Sequence, residues 1–370
     1  MASSADPTDL GLVSRALRQE PSFLAGWLSA APGGEQRIKD RLGLTETSLH
    51  RLLVCRAPRP DRYLTDVNAL AEYVDVDATT LAAALREAAV LAALGSGAVG
   101  AVEQAVPGSV GVLAAARDIA AEQLPASQGS SRVRELAEAT WLAAPAEVRD
   151  RRDVQSAIVW VSPAIVVSLP RLHLATVNRW LTERGVPELP GGVGELRGLL
   201  VAWRGQAAIF VDGMLADAER RMTLAHEHGH LLLDYLAPRR RVLRDAPDLL
   251  DVVDGHRSAT DADRARAVLA RLPLGLHTHL LHRDDHGGAR ATIAEAEDDA
   301  SLYALELLAP WEELLELLRV EVLDAGPYPD RHAAAASAVA QRFGLPSDAA
   351  AVRATAALGA LGIRPGFFDR

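Results

Sequence analysis

Between Arg221 and Leu233 the chain reads Arg-Met-Thr-Leu-Ala-His-Glu-His-Gly-His-Leu-Leu-Leu, and within it stands His-Glu-x-x-His. On a helix, residues four apart share a face, so His226 and His230 can offer two imidazole nitrogens to one ion. Glu227 follows the first of them. From there its carboxylate can reach a water on that ion and take its proton, which is the chemistry of a metal-assisted hydrolase. His228 falls between the two. Two residues along a helix diverge by about 200°, so His228 is expected to pack or face solvent rather than ligate. Gly229 weakens a helix, and its use here predicts close approach of another backbone.

A catalytic zinc takes three protein ligands and keeps one open position. Two groups downstream supply the right atom types: the acids Glu295, Glu297, Asp298 and Asp299, and the histidines His256, His277, His279, His282 and His286. Spacing alone does not choose between them.

The elements that must carry these residues follow from periodicity. Leu196 to Trp203 and Ala207 to Val211 are strand-like runs separated by Arg204-Gly205-Gln206, which predicts a β-hairpin. Ala218 to Tyr235 is the expected motif helix. Ala157 to Leu169, rich in Ile and Val and split by Pro163, predicts some extended structure, and Leu172 to Arg184 an amphipathic helix. Glu297 to Leu308 reads as a second helix stopped at Pro310, with another over Glu312 to Val322 and a last pair around Gln341-Arg342-Phe343-Gly344.

This arrangement resembles the ImmA/IrrE family of metallopeptidases. There a hairpin precedes R-x-T-x-A-H-E-x-G-H, and a later helix reads E-x-x-A-N-x-F-A-x-x-L-L-M-P. The second pattern matches Glu297-Asp298-Asp299-Ala300-Ser301-Leu302-Tyr303-Ala304-Leu305-Glu306-Leu307-Leu308-Ala309-Pro310, with Ser301 for the usual Asn, Tyr303 for Phe and Ala309 for Met. The resemblance implies that Glu297 is the third ligand, that Arg221 and Thr223 are structural supports, and that one Zn2+ is held per chain. It implies a specific endopeptidase whose substrate is a protein such as a helix-turn-helix transcriptional repressor. The interval from His230 to Glu297 is longer than usual in the family, and the extra residues, about 238–290, read as a charged, loop-like, His-rich insertion. Tyr235 and Tyr303 are the candidates to donate to a developing oxyanion.

The remainder of the chain bounds the organisation. Its 370 residues predict two or three domains. An aromatic share of only 4% leaves Ala, Leu and Val to build the cores, which favours helices. The expectation is an α+β chain, mostly helical, with a helix-turn-helix-like bundle over residues 12–95 and a helical linker over 96–150. A zincin-like peptidase domain with a small β-sheet is expected over 151–322, and a helical region over 323–370. The bundle places Gly43-Leu44-Thr45 between two helices, an order similar to phage-repressor-like helix-turn-helix domains. Between Glu35 and Arg62, Arg37, Lys39, Arg41, Arg51, Arg56, Arg59 and Arg62 outnumber Glu35, Asp40, Glu46 and Asp61. DNA binding through residues 35–62 is therefore the alternative reading, with the peptidase fold as sensor or scaffold. The net charge of −10 argues against the whole chain as a nucleic-acid binder. A single cysteine, Cys55, excludes an intrachain disulfide. The polar start Met-Ala-Ser-Ser-Ala-Asp does not read as a signal peptide, and Leu81 to Val106 is interrupted by Arg86, Glu87 and Glu103. A cytoplasmic protein with no membrane segment is expected.

Overall fold

The computed structural model describes residues 7–96, 113–116, 131–186, 188–189, 194–253, 257, 259–269, 287–321 and 326–365. The fold is mostly helical around one small sheet. The N-terminal helices are α1 (Pro7–Ala16), α2 (Leu24–Ser29), α3 (Gly34–Leu42), α4 (Glu46–Leu53), α5 (Tyr63–Val74) and α6 (Ala78–Ser96). Gly43, at φ 62°, ends α3 in the left-handed region. Thr45 then caps α4 by accepting from the Ser48 amide at 3.1 Å. Asp77 does the same for α6 through Thr80.

Next come β1 (Leu113–Ala116), α7 (Ser131–Ala143), α8 (Ala146–Asp150), α9 (Val154–Val161), β2 (Ala164–Leu169), α10 (Leu174–Thr182), β3 (Gly198–Trp203) and β4 (Gln206–Asp212). The sheet order is β1-β3-β4-β2. The expected hairpin is β3–β4, antiparallel, with Trp203 paired to Gln206. Arg204 and Gly205 take φ of 50° and 79°, the two left-handed residues that a tight two-residue turn requires. β2 lies parallel to β4 and β1 antiparallel to β3. All six residues of β3 are buried. Successive strand residues point to opposite faces, so both faces of the sheet are covered.

The motif helix is α11 (Asp217–His230), which widens into a π-helical turn at Leu231–Leu236 and continues as α12 (Ala237–Asp245). Pro238 has no N–H to give the preceding turn, a common reason for a helix to loosen its hydrogen-bond ladder. After it come α13 (Leu250–Val253), α14 (Asp261–Leu269), α15 (Gly287–Leu308), α16 (Trp311–Glu321), α17 (Tyr328–Phe343) and α18 (Ser347–Ala360).

Three expectations change. The boundary near residue 95 is bridged, because α6 packs against α3 and α5 and also against β2 and β4. A helix of Ala, Leu and Val on nearly every side can be buried from two directions, and one continuous core runs from Leu24 to Leu358. Arg86 adds a polar tie, lying over the Tyr63 ring and donating to the Val159 carbonyl at 3.1 Å. The expected linker, where described, is built into the core: β1 extends the sheet and α7 packs along α15, with Trp141 donating to the Leu307 carbonyl at 2.9 Å. The insertion is not loop-like where described. Its helices close a small core of Val242, Ala246, Leu249 and Ala267, an apolar spacing that the surrounding charges mask in the sequence. Among the described residues no helix is long and apolar enough to cross a membrane.

Candidate metal centre

α11 opens with Asp217 and Glu219, acids that suit a helix N-terminus. From Met222 to His230 every residue is buried. Nine consecutive buried residues mean that the helix is covered all round, including the face that carries the imidazoles. α15 is the main cover, and it brings Glu297 to that face.

The His226 Nε2 lies 3.3 Å from the Glu297 carboxylate, and the His230 Nε2 lies 3.8 Å from it. The two Nε2 atoms are 3.0 Å apart. Two ring nitrogens and a carboxylate oxygen, all within 4.8 Å of one another, could hold a metal ion. Nitrogen lone pairs brought this close repel unless a cation or a proton lies between them, so the donors fit such a group. Glu295, Asp298 and Asp299 do not join this set; among the described residues the trio is the single cluster of its kind. His256, His277, His279, His282 and His286 lie outside the described residues.

Further partners fix the two imidazole rings. Asp234 lies 2.7 Å from His230 Nδ1, which leaves Nε2 to face the trio. Ser301 Oγ lies 3.3 Å from His226 Nδ1. Asp234 follows His230 by one helical turn, so the pairing was readable from spacing, although no motif draws attention to it. Burial pushes His226 below the ordinary imidazole range, with Glu297 opposing the shift. Burial pushes His230 down as well, but its hydrogen bonds to the Asp234 and Glu297 carboxylates overturn that and raise it to about 10. Burial pushes Glu297 up, and the two imidazoles outweigh it and hold the carboxyl well below the usual carboxylate range. The same convergence of negative groups that could hold a cation also favours a proton on His230.

Glu227 is fully buried. Room for it comes from Gly198 at the start of β3, where an added Cβ would stand 2.7 Å from Glu227 Oε1 and 2.6 Å from Thr223 Cγ2. Gly229 meets the expectation of a close approach: a Cβ there would stand 3.0 Å from the Ala300 Cα and 3.1 Å from Tyr303 Cδ1. α11 and α15 therefore cross nearly backbone to backbone beside the ligands. Arg221 donates to the carbonyls of Phe343 and Gly344 at 3.0 and 3.3 Å, tying α11 to the end of α17.

Both tyrosine hydroxyls make contacts within the fold. The Tyr235 hydroxyl accepts from the Gly205 amide at 2.7 Å and holds the hairpin turn. The Tyr303 hydroxyl is buried between Thr140, at 3.0 Å, and His228, at 2.8 Å. His228 is not solvent-facing: it is fully buried, and its second nitrogen meets Ser162 Oγ at 2.7 Å. Burial pushes its pKa down to about 3, so the ring is neutral.

Four of the seven cations expected to face DNA have partners within the chain. Lys39 pairs with Glu46, Arg41 with Glu87, and Arg59 bonds both oxygens of Asp66 at 2.8 and 2.9 Å. Arg51 donates to the Tyr73 carbonyl at 2.9 Å and lies over that ring. α1 packs across α4, with Gly11 against the His50 ring.

No protein-family model, curated protein or solved structure matches the chain.

Proposed function

We propose that this chain is a zinc-dependent endopeptidase of the ImmA/IrrE type, in which His226, His230 and Glu297 hold the ion and Glu227 moves the proton. The observation that carries this reading is the convergence of His226, His230 and Glu297 beside a buried Glu227, with Asp234 orienting His230. A zinc ion bound there would supply Lewis acidity to the attacking water and the scissile carbonyl. Glu227 accepts the proton of that water and returns it to the leaving amine. Gly198, at the start of β3, leaves the room that its carboxylate occupies. Asp234 keeps His230 Nδ1 occupied, so the ring presents one tautomer. The Glu297 side chain keeps 37% exposure while both imidazoles keep 1%, so a peptide approaches from the Glu297 side.

The substrate in this reading is a specific protein, of the kind a transcriptional repressor represents, and the activity is regulatory. Metal content of the wild type, His230→Ala and Glu227→Gln is the test. Wild type and Glu227→Gln should each carry about one zinc per chain, and His230→Ala none. A wild-type protein that cannot be loaded with zinc ends the peptidase reading.

A DNA-binding regulator is the second reading. The three-residue turn between α3 and α4, capped by Thr45, favours it. The internal pairing of Lys39, Arg41, Arg51 and Arg59 counts against it. Full-length protein retained on DNA at low salt and released as salt rises would support it; no retention at low salt removes it.

A further inference from the structure

His228 sits on the side of α11 turned away from the ligand pair, yet both of its ring nitrogens are engaged in the interior. The chain of contacts runs from Ser162, just past α9, through His228 on α11 and Tyr303 on α15 to Thr140 on α7. Thr140 gives its hydrogen to the Leu136 carbonyl at 2.9 Å. Tyr303 must then donate to Thr140, His228 Nδ1–H to Tyr303, and Ser162 to His228 Nε2. This single arrangement satisfies every member of the chain.

Such a chain is not the most stable way to fill the space. Buried polar groups cost free energy to desolvate, and apolar residues of similar shape commonly serve as well. A hydrogen bond adds direction, which apolar contact lacks. Here the direction bears on two helices that cross at Gly229 and Ala300. On one side of that crossing Ser301 meets His226, and on the other Tyr303 meets His228. Glu297 lies less than two turns before Tyr303 on the same helix. Any slide or rotation of α15 that breaks the Tyr303–His228 bond also carries Glu297 away from His226 and His230.

We infer that His228 and Tyr303 are positioning residues that hold the two ligand-bearing helices in register and so set metal affinity from outside the ligand set. This rests on the reading of His226, His230 and Glu297 as a metal site. The test uses the full chain with His228→Leu and Tyr303→Phe combined, and Tyr303→Phe alone in case the double variant does not fold. Three readouts are taken: the melting temperature of the metal-free protein, zinc affinity by competition with a chromophoric chelator, and the visible absorption of the cobalt-loaded site. Loss of a group bonded to a ligand typically weakens metal binding about 10- to 100-fold, and displacing Glu297 itself should do at least as much. The expected result is a loss of that size with shifted cobalt bands in both variants, and in the double variant an unchanged or higher metal-free melting temperature. Wild-type zinc affinity and cobalt bands in the variants would overturn the inference. So would a fall in melting temperature that accounts for the loss of affinity. If the wild type itself binds no zinc, the metal-site reading falls and this inference with it; if the wild type binds and the variants match it, this inference alone falls.

Discussion

At the crossing of α11 and α15 the polar side chains are buried and turned toward one another. Around the turn between α3 and α4 they lie near the surface, paired with whatever stands beside them. Both regions are rich in groups that could do chemistry, and burial is what separates them. Taking an imidazole or a carboxylate out of water costs several kcal/mol unless partners compensate. His226, Glu227, His228 and His230 are each 1% exposed or less, and the partners they share are directional. The exposed pairs of the N-terminal helices cost little to form and stabilise little. A buried polar cluster therefore asks for a function, and a surface charge run does not.

Substitutions can sharpen that contrast. The largest effect is expected at Glu227, where Glu227→Gln should keep the metal and lower peptidase turnover by about 10²- to 10⁴-fold, the usual worth of a positioned proton-transfer group. Equal turnover in the variant, measured on a peptide library with matched zinc content, would remove Glu227 from the mechanism.

Next is the buried pair between Arg353 and Glu306, side chains 2% and 1% exposed and 2.7 Å apart. It joins α18 to α15 and is supported by the Ala309 carbonyl and the Trp311 amide. Arg353→Met leaves the buried Glu306 carboxylate with the Trp311 amide and, at 3.9 Å, Arg134, and should cost about 3 kcal/mol in urea unfolding. Adding Glu306→Leu should restore most of that. The exposed pair between Arg59 and Asp66 gives the contrast: Arg59→Ala should leave the unfolding midpoint unchanged within error. A comparable loss at both pairs would break the distinction between the two regions.

A third effect comes from the close crossing. Gly229→Ala forces a methyl against the Ala300 backbone. Overpacking of that kind costs about 1–3 kcal/mol, and by separating the helices it should weaken zinc binding as well. Unchanged affinity would show that the ligands tolerate the separation.

The smallest effect concerns protons. The raised His230 keeps its proton at neutral pH in the metal-free protein. Zinc must displace it, so binding should release close to one proton and weaken as pH falls. Calorimetry in two buffers of different ionisation enthalpy measures that release, and no release would mean that His230 is already neutral.

The motif on α11 could be read directly because periodicity and atom type suffice to place two imidazoles on one helical face. The hairpin was equally plain, since Arg204-Gly205 between two apolar runs leaves few other shapes. Glu297 could not be found that way, because nothing local links it to His226; only the likeness of its helix to a known pattern pointed to it. Asp234 was within reach of spacing. His228 packs rather than ligates, as its place on the helix implied, but a helical wheel gives direction and says nothing of what stands there, so its partners were not readable. The partners of the Tyr235 and Tyr303 phenols were out of reach for the same reason.

By itself the sequence determined which residue types could bind a cation, the helix that presents His226 and His230, and the glycine where a second backbone would come close. Local geometry along one helix is set by bonds within it, so a few residues are enough to state it. Only the tertiary structure decided that Glu297 meets His226 and His230, that α6 joins the N-terminal helices to the sheet, and that Ser162, Tyr303 and Thr140 surround His228. Those are meetings of residues far apart in the chain, chosen by how the apolar faces of many helices fill one interior together, and no single stretch of sequence contains that information.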